Sequence, residues 1–275
     1  MPDAAMPDAA MIDWAMLDVA VLLSIGRHPV SGRARRAATD AQALEMALAL
    51  RPRRLTAIHA GPVADGEALR AYLGMGLERL TLLVLPEGGD PVEPLVAHLR
   101  RLAPSLILTG RQAEDGEGSG MLPYLIARGL DAAVVPDVVR IGPADAPDTK
   151  PGSANLVQAL PRGQRRALIV TGPFVATIHP SAPPARPSAF GPARRGVIEP
   201  VAAQAAADLF LSDCEHRPWR PKPKLMRVKR GGSALDRLKA ATESKSGKGQ
   251  LLVNPTAEAG ALAIYDSLVE QGILP

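Results

Sequence analysis

The chain has 275 residues, 47% of them hydrophobic and 22% charged, with a formal net charge of +4. This is a globular composition with room for one large α/β domain or two small ones, and no apolar run reaches the roughly 18 residues of a membrane span. The single cysteine, Cys214, excludes an intrachain disulfide and a thiolate metal cluster and fits a reducing, cytoplasmic setting.

Residues 1–17 repeat PDAAM and lack the basic and apolar regions of a signal peptide, so a disordered tail is expected there. DVAVLLSI (18–25) reads as a buried strand. Thr39 and Gln42 have capping-box spacing and open a helix with Leu44, Ala47 and Leu48 on one face. RRLTAIHA (53–60) is a second strand, and Leu69, Tyr72 and Leu73 mark the next helix. RLTLLVL (79–85) is a third strand. Asp90-Pro91-Val92-Glu93 combines a cap, a first-turn proline and an acid at the positive end of the helix dipole. Leu95, Val96, Leu99 and Leu102 then form its buried stripe. SLILTG (105–110) is a fourth strand, followed by a helix through Met121, Leu122, Leu125 and Ile126 that stops at Gly129.

Strands alternating with amphipathic helices predict an α/β fold with a mostly parallel, doubly wound, Rossmann-like sheet. After residue 130 the pattern changes. Segments 133–141, 154–160 and 165–172 are short strands with Pro- and Gly-rich turns, expected as antiparallel additions to the sheet edge; 174–179 is a further strand candidate. Segment 178–196 is too rich in proline for a helix or inner strand and is expected as an exposed, stiffened loop. The α/β domain is placed at 18–212, and 213–275 reads as an extended C-terminal arm ending in a helix opened by Pro255-Thr256, with a partner chain as one candidate for its apolar stripe.

Within the arm, Arg217 to Lys248 holds eleven Lys or Arg against Asp236 and Glu243. Nucleic-acid binding is weighed and set aside, because Trp219 is the segment's one aromatic and no stacking platform accompanies it. A solvated arm is the plainer reading.

The chain carries no GxxxxGK[ST], no GxGxxG after its first strand and no GxSxG. The histidines have no metal-ligand spacing; His59, in a strand, and His98, on a helix, are expected to be structural. Nothing in these patterns points to bond-making catalysis. What stands out is ILTGRQAEDGEGSGMLPYLIARGL (107–130). Gly116, Gly118 and Gly120 remove side chains where backbone N–H groups converge. Ser119 suits a cap or a phosphate oxygen, and the helix N-terminus adds partial positive charge. Arg111 would add a full charge, and Glu114, Asp115 and Glu117 would bind ribose hydroxyls or hold the loop. A bare tight turn is the competing reading.

This stretch resembles the β subunit of electron-transfer flavoproteins. There a strand ends in Gly-Lys-Gln-Ala and is followed by acids, Asn-Gln-Thr-Gly and a helix. Gly110-Arg111-Gln112-Ala113 matches with Arg for Lys, Asp115 falls on an acidic position, and Ser119-Gly120 match Thr-Gly. SIGRHP (24–29), ALEMALAL (43–50), HAGP (59–62), LGMGLERL (73–80) and 172–190 follow in the family's order.

The resemblance implies an α subunit that grips FAD, with this chain as one wall near the flavin. It further implies a heterodimer that takes electrons from a flavin-dependent dehydrogenase and passes them to a quinone reductase. In the common members the β chain buries AMP. The cofactor-binding residues carried over are Ser24, Gly110, Arg111, Gln112, Asp115, Gly116, Gly118, Ser119 and Gly120. Phe190 falls where the family docks an apolar side chain into the dehydrogenase, and Arg194 and Arg195 would steer the encounter. Two departures count against AMP: Ala37-Ala38-Thr39-Asp40-Ala41 replaces Asn-Pro-Phe-Asp-Glu, and the loop is about two residues shorter, without Asn-Gln. The alternative is a stand-alone nucleotide-binding regulatory domain of the universal-stress type.

Overall fold

The apolar runs of the first half become the centre of a nine-stranded sheet. The computed structural model describes residues 12–28, 30–86, 88–116, 118–144, 152–208, 213–215 and 252–270. They belong to two units, Met1–Glu215 and His216–Pro275. The expected tail over 1–11 and the basic segment 217–248 lie outside the described residues.

In the first unit, β1 is Asp18–Leu22, β2 Ile25–Arg27, β3 Ala34–Arg36, α1 Ala38–Ala49 and β4 Arg54–Gly61. Then come α2 Gly66–Leu73, β5 Arg79–Val84, α3 Val92–Leu102, β6 Leu106–Gly110 and α4 Leu122–Leu130. β7 Ala133–Pro143, β8 Ser153–Ala159, β9 Arg165–Thr171, β10 Phe174–Ile178, α5 Phe190–Arg195 and β11 Val197–Ala202 complete it. The sheet order is β11-β5-β4-β1-β6-β10-β7-β8-β9, and β2 and β3 form a separate hairpin. Every neighbouring pair from β11 to β7 is parallel, whereas β8 and β9 are antiparallel additions.

The inner strands β1, β6 and β10 are buried on both faces, which is why they read as unbroken apolar runs. In β1, Val19 and Val21 point into one core with Leu44 and Ala47 of α1 and Leu69, Tyr72 and Leu73 of α2. Ala20 and Leu22 point into the opposite core with Leu95, Val96 and Leu99 of α3 and Ile126 and Ala127 of α4. α1 brings alanines at 41, 43 and 47 to the sheet, so it packs closely over β1 and β6.

Several expectations are corrected. Residues 12–17 are folded rather than part of a tail: Ile12 and Leu17 are buried, and Trp14 Nε1 donates to the Ser153 carbonyl at 3.1 Å. No capping box forms at α1; Gln42 instead donates to the carbonyls of Pro180 and Ala182, the latter at 2.8 Å. The α3 reading fares better, because Asp90 Oδ1 accepts the Val92 N–H at 2.9 Å. α4 runs past Gly129 to Leu130; that glycine serves packing, since a Cβ there would stand 2.7 Å from Val96 Cγ2.

β7, expected as an antiparallel addition, begins as a parallel partner of β10 and pairs with β8 only from Val138 on. β10 is buried along its whole length between β6 and β7. The Pro-rich stretch contains a helix after all, α5, and leads into an unforeseen strand, β11, where Pro200 is tolerated because the strand lies at the sheet edge.

In the second unit, α6 spans Ala257–Glu270 and is capped by Thr256 Oγ1, which accepts the Ala259 N–H at 3.3 Å. Its Leu262, Ile264 and Tyr265 are exposed. Among the described residues, no helix is long and apolar enough to cross a membrane.

Candidate functional site

β1 and β6 are adjacent, but the chain leaves them toward opposite sides of the sheet: β4 and β5 lie beyond β1, β10 and β7 beyond β6. The carboxyl ends of such a strand pair leave a crevice where open α/β sheets bind ligands. A cavity of about 590 Å³ occupies that place. It is bounded by the ends of β1, β4 and β6, the N-termini of α3 and α4, and the loop between β6 and α4.

Eight of the nine cofactor-binding residues expected from the sequence line it: Ser24, Gly110, Gln112, Asp115, Gly116, Gly118, Ser119 and Gly120. Arg111 does not; its Nε lies 3.6 Å from Asp137 Oδ1, on the side of β7. Gly116, Gly118 and Gly120 have φ of 81°, 61° and 73°. Left-handed values at alternate positions are the pattern of backbone nests that gather N–H groups around an anion. Nothing lies within 4 Å of the Cβ position of Gly116. Ser119 Oγ accepts the Met121 N–H at 3.2 Å and so caps the entry to α4. Without Arg111, backbone N–H groups and the α4 terminus supply partial positive charge at this end of the cavity, beside the Arg27–Asp115 pair.

The loop acids serve the protein itself. Glu114 Oε1 accepts the Ala38 N–H at 2.6 Å, capping α1, and its Oε2 takes Arg35 at 2.9 Å. Asp115 pairs with Arg27 at 2.7 Å. Through these contacts the β2–β3 hairpin is fastened to the glycine loop. Gly26 is fixed by the same packing, because a Cβ there would overlap the Glu114 carboxylate.

Sequence reasoning missed the part played at the cavity by Asp40, which lines it, and by Tyr72 behind it, and did not foresee the partners of His59. Asp40, buried in the first turn of α1, accepts the Ser24 N–H at 2.6 Å, the Ser24 hydroxyl, and the Gly110 N–H at 2.8 Å. Burial pushes its carboxyl up from 3.8 to about 6; the Ser24 and Gly110 hydrogen bonds oppose this and Glu114 adds to it. The Ser24 hydroxyl, expected to face a cofactor, is thus engaged by Asp40. Tyr72 is fully buried and donates to the Ser24 carbonyl at 2.8 Å while accepting the Ala37 N–H at 2.8 Å. Burial drives the Tyr72 phenol up. His59 is buried in β4, with Nδ1 donating to the Leu23 carbonyl at 2.9 Å and Nε2 lying 2.8 Å from Asp65 Oδ2. Its structural role holds, although it also lines the cavity. The available signal was that a Tyr or His within an apolar stripe must find partners once buried.

Phe190 begins α5 and is 78% exposed. Arg194 and Arg195 end the same helix, also exposed, and Arg70 holds it by donating to the Ala193 carbonyl at 3.2 Å. Phe190 is therefore not packed onto its own subunit. His98 on α3 is lowered by burial and by Arg101.

Residues 31–206 match the electron transfer flavoprotein domain family. Over 257 residues the chain is 42% identical to the electron transfer flavoprotein subunit beta of Chromohalobacter salexigens, covering 92% of this chain and 94% of that protein. Fold, cavity and both comparisons agree that the chain belongs to the electron transfer flavoprotein β subunit family.

Proposed function

We propose that this chain is the β-type subunit of a heterodimeric electron-transfer flavoprotein. It accepts electrons from a flavin-dependent dehydrogenase and delivers them to a quinone reductase, through FAD held mainly by an α subunit. The observation that carries the proposal is the 42% identity across 92% of the chain, which includes the glycine loop and the α5 segment. FAD, when bound, supplies the uptake and release of electrons. The task of this chain is to wall off the flavin, present a docking surface and hold a nucleotide.

The residues present fit an adenine nucleotide such as AMP at its phosphate end. The left-handed glycines at 116, 118 and 120 and the start of α4 form a cradle for an anion. The apolar floor of Leu22, Ile58 and Ala60 suits a base. Phe190, Arg194 and Arg195 form the dehydrogenase contact in this reading, and α6 turns its apolar residues to the α subunit.

A tagged chain purified from its native cell tests the reading. A yellow complex with one larger subunit and FAD in the supernatant after heating is the expected result. A colourless lone chain carrying ATP would transfer the assignment to a stand-alone regulatory domain.

A further inference from the structure

The crevice between β1 and β6 has two banks. One is the exit of β1 at Ser24; the other is the exit of β6 at Gly110. β1 and β6 pair through Leu22 and Thr109, and the banks diverge beyond that point. The carboxylate of Asp40 from α1 bridges them. The site is built tightly around it: a Cβ on Gly110 would overlap Asp40 Oδ1 and stand 2.6 Å from Thr39 Oγ1. Tyr72 completes the bridge from α2 by holding the Ser24 carbonyl and the Ala37 N–H.

The chemistry requires an ionised acid. The Gly110 and Ser24 backbone groups are both N–H donors, so each oxygen of residue 40 must accept. An asparagine would turn its NH₂ toward one of them. A protonated carboxyl likewise gives up acceptor capacity on the oxygen that carries the proton. Asp40 is 3% exposed and, among the described residues, no arginine or lysine bonds it, so the ionised form is costly there. The charged and titratable groups facing it are Glu114 of the glycine loop, itself paired with Arg35 of β3, and Tyr72 of α2, with Arg36 of β3 beside Tyr72. A side chain that served packing alone would not need a buried charge.

We propose that Asp40 is the positioning residue of the cavity, its carboxylate setting the spacing of the Ser24 and Gly110 strand ends so that ligand is held only while that carboxylate is ionised. The ligand half of this statement rests on the nucleotide reading above; the bridge itself does not. Glu114 joins the two, because it caps α1 at Ala38 from the glycine loop that lines the cavity. Loosening Asp40 shifts the start of α1, and with it the loop.

Two measurements on the full-length chain test the proposal, with AMP as the probe. In the first, amide NMR follows Ser24 and Gly110 as the pH falls. The expected result is one shared midpoint near 6, lost in Asp40→Asn. In the second, AMP affinity is measured at about pH 7.5 and about pH 5.5. Wild type should weaken about fourfold more than Asp40→Asn over this range, the loss of ionised carboxyl expected for a midpoint near 6. The variant corrects for titration of the AMP phosphate itself. Asp40→Asn should also bind about tenfold more weakly at the higher pH.

Amides that do not titrate together overturn the bridge. A variant with wild-type affinity and pH profile overturns its role in holding ligand. If wild type binds no AMP while the amides titrate together, the bridge stands and the nucleotide reading falls. The wild-type titration needs no variant, so it decides the case even if Asp40→Asn does not fold.

Discussion

Glu114 Oε1 accepts the backbone N–H of Ala38 at 2.6 Å, so the first turn of α1 is capped by a carboxylate from a loop 76 residues further along the chain. A helix N-terminus leaves its first N–H groups without intrahelical partners, and an acid there also meets the positive end of the dipole. The local capping signal at Thr39 and Gln42 was overridden by this tertiary one. Glu114→Ala should cost about 1–2 kcal/mol, the usual price of a lost cap. Glu114→Gln keeps an acceptor and loses only the half-exposed pair with Arg35, so it should cost below about 1 kcal/mol. Urea denaturation of both variants checks the ratio; equal losses would mean that the ion pair, and not the cap, matters.

The pH dependence of stability should carry the signature of Asp40. Burial raises its carboxyl to about 6 from 3.8, so the folded state holds the proton more tightly than the unfolded chain. The resulting stabilisation is complete below about pH 3.8 and is lost as pH rises through about 6. A shift of this size corresponds to roughly 3 kcal/mol. Asp40→Asn should flatten the slope between those two values, whatever its absolute stability. Denaturant midpoints taken across the interval test this, and parallel slopes in variant and wild type would contradict it. The direction matters for the site: near neutral pH the chain keeps a carboxylate that lowers its stability. Such a cost is what a binding site imposes on its scaffold.

The sequence made the sheet legible because its inner strands are buried on both faces and the helices between them show clean stripes. Leu95, Val96 and Leu99, or Leu69, Tyr72 and Leu73, can be placed on a face by spacing alone. The glycine loop was legible as a place without side chains, and Gly116, Gly118 and Gly120 there turn out to have left-handed backbone. What stayed hidden was long-range. β2 and β3 are three residues each, too short to show alternation. β11 carries a proline that only an edge position excuses. Asp40 drew no reading of its own, and its role depends on Ser24 and Gly110 being brought together by a parallel pairing that no local pattern specifies.

Gly129 offers a test of the packing on the α3 and α4 side. An alanine inside a helix normally gains about 1 kcal/mol over glycine. Here the new Cβ would meet Val96 Cγ2 at 2.7 Å and Cγ1 at 3.0 Å, and a β-branched side chain yields little. Overpacking of this kind costs about 1–3 kcal/mol. Gly129→Ala should therefore destabilise, against its helix propensity, and Val96→Ala in the same chain should restore part of the loss. A more stable Gly129→Ala would show that α3 and α4 separate freely.

The glycine loop and Arg111 should separate in their effect on bound nucleotide. Gly118 has φ of 61° and lines the cavity, so alanine there adds about 1–2 kcal/mol of backbone strain where the anion would sit. Gly118→Ala should weaken AMP retention about tenfold. Arg111→Ala should leave it within about twofold, because Arg111 faces Asp137 and not the cavity. Heat release and mass measurement of nucleotide from each purified variant checks both. Loss of nucleotide in Arg111→Ala alone would mean that the loop turns over on binding and brings the arginine inward.

Phe190 is the residue on which partner recognition should turn. A ring 78% exposed at the start of a short helix contributes little to the fold, so Phe190→Asp should change stability by no more than about 0.5 kcal/mol. α5 is anchored independently, through Arg70 on the Ala193 carbonyl, so the variant should keep its helix and its subunit pairing. An aromatic anchor at the centre of an interface commonly carries about 2 kcal/mol or more. Electron acceptance from the dehydrogenase at limiting protein should accordingly fall at least about tenfold. Charge reversal at Arg194 and Arg195 should act differently, slowing encounter in a way that added salt masks. Wild-type rates in Phe190→Asp would place the dehydrogenase on another face.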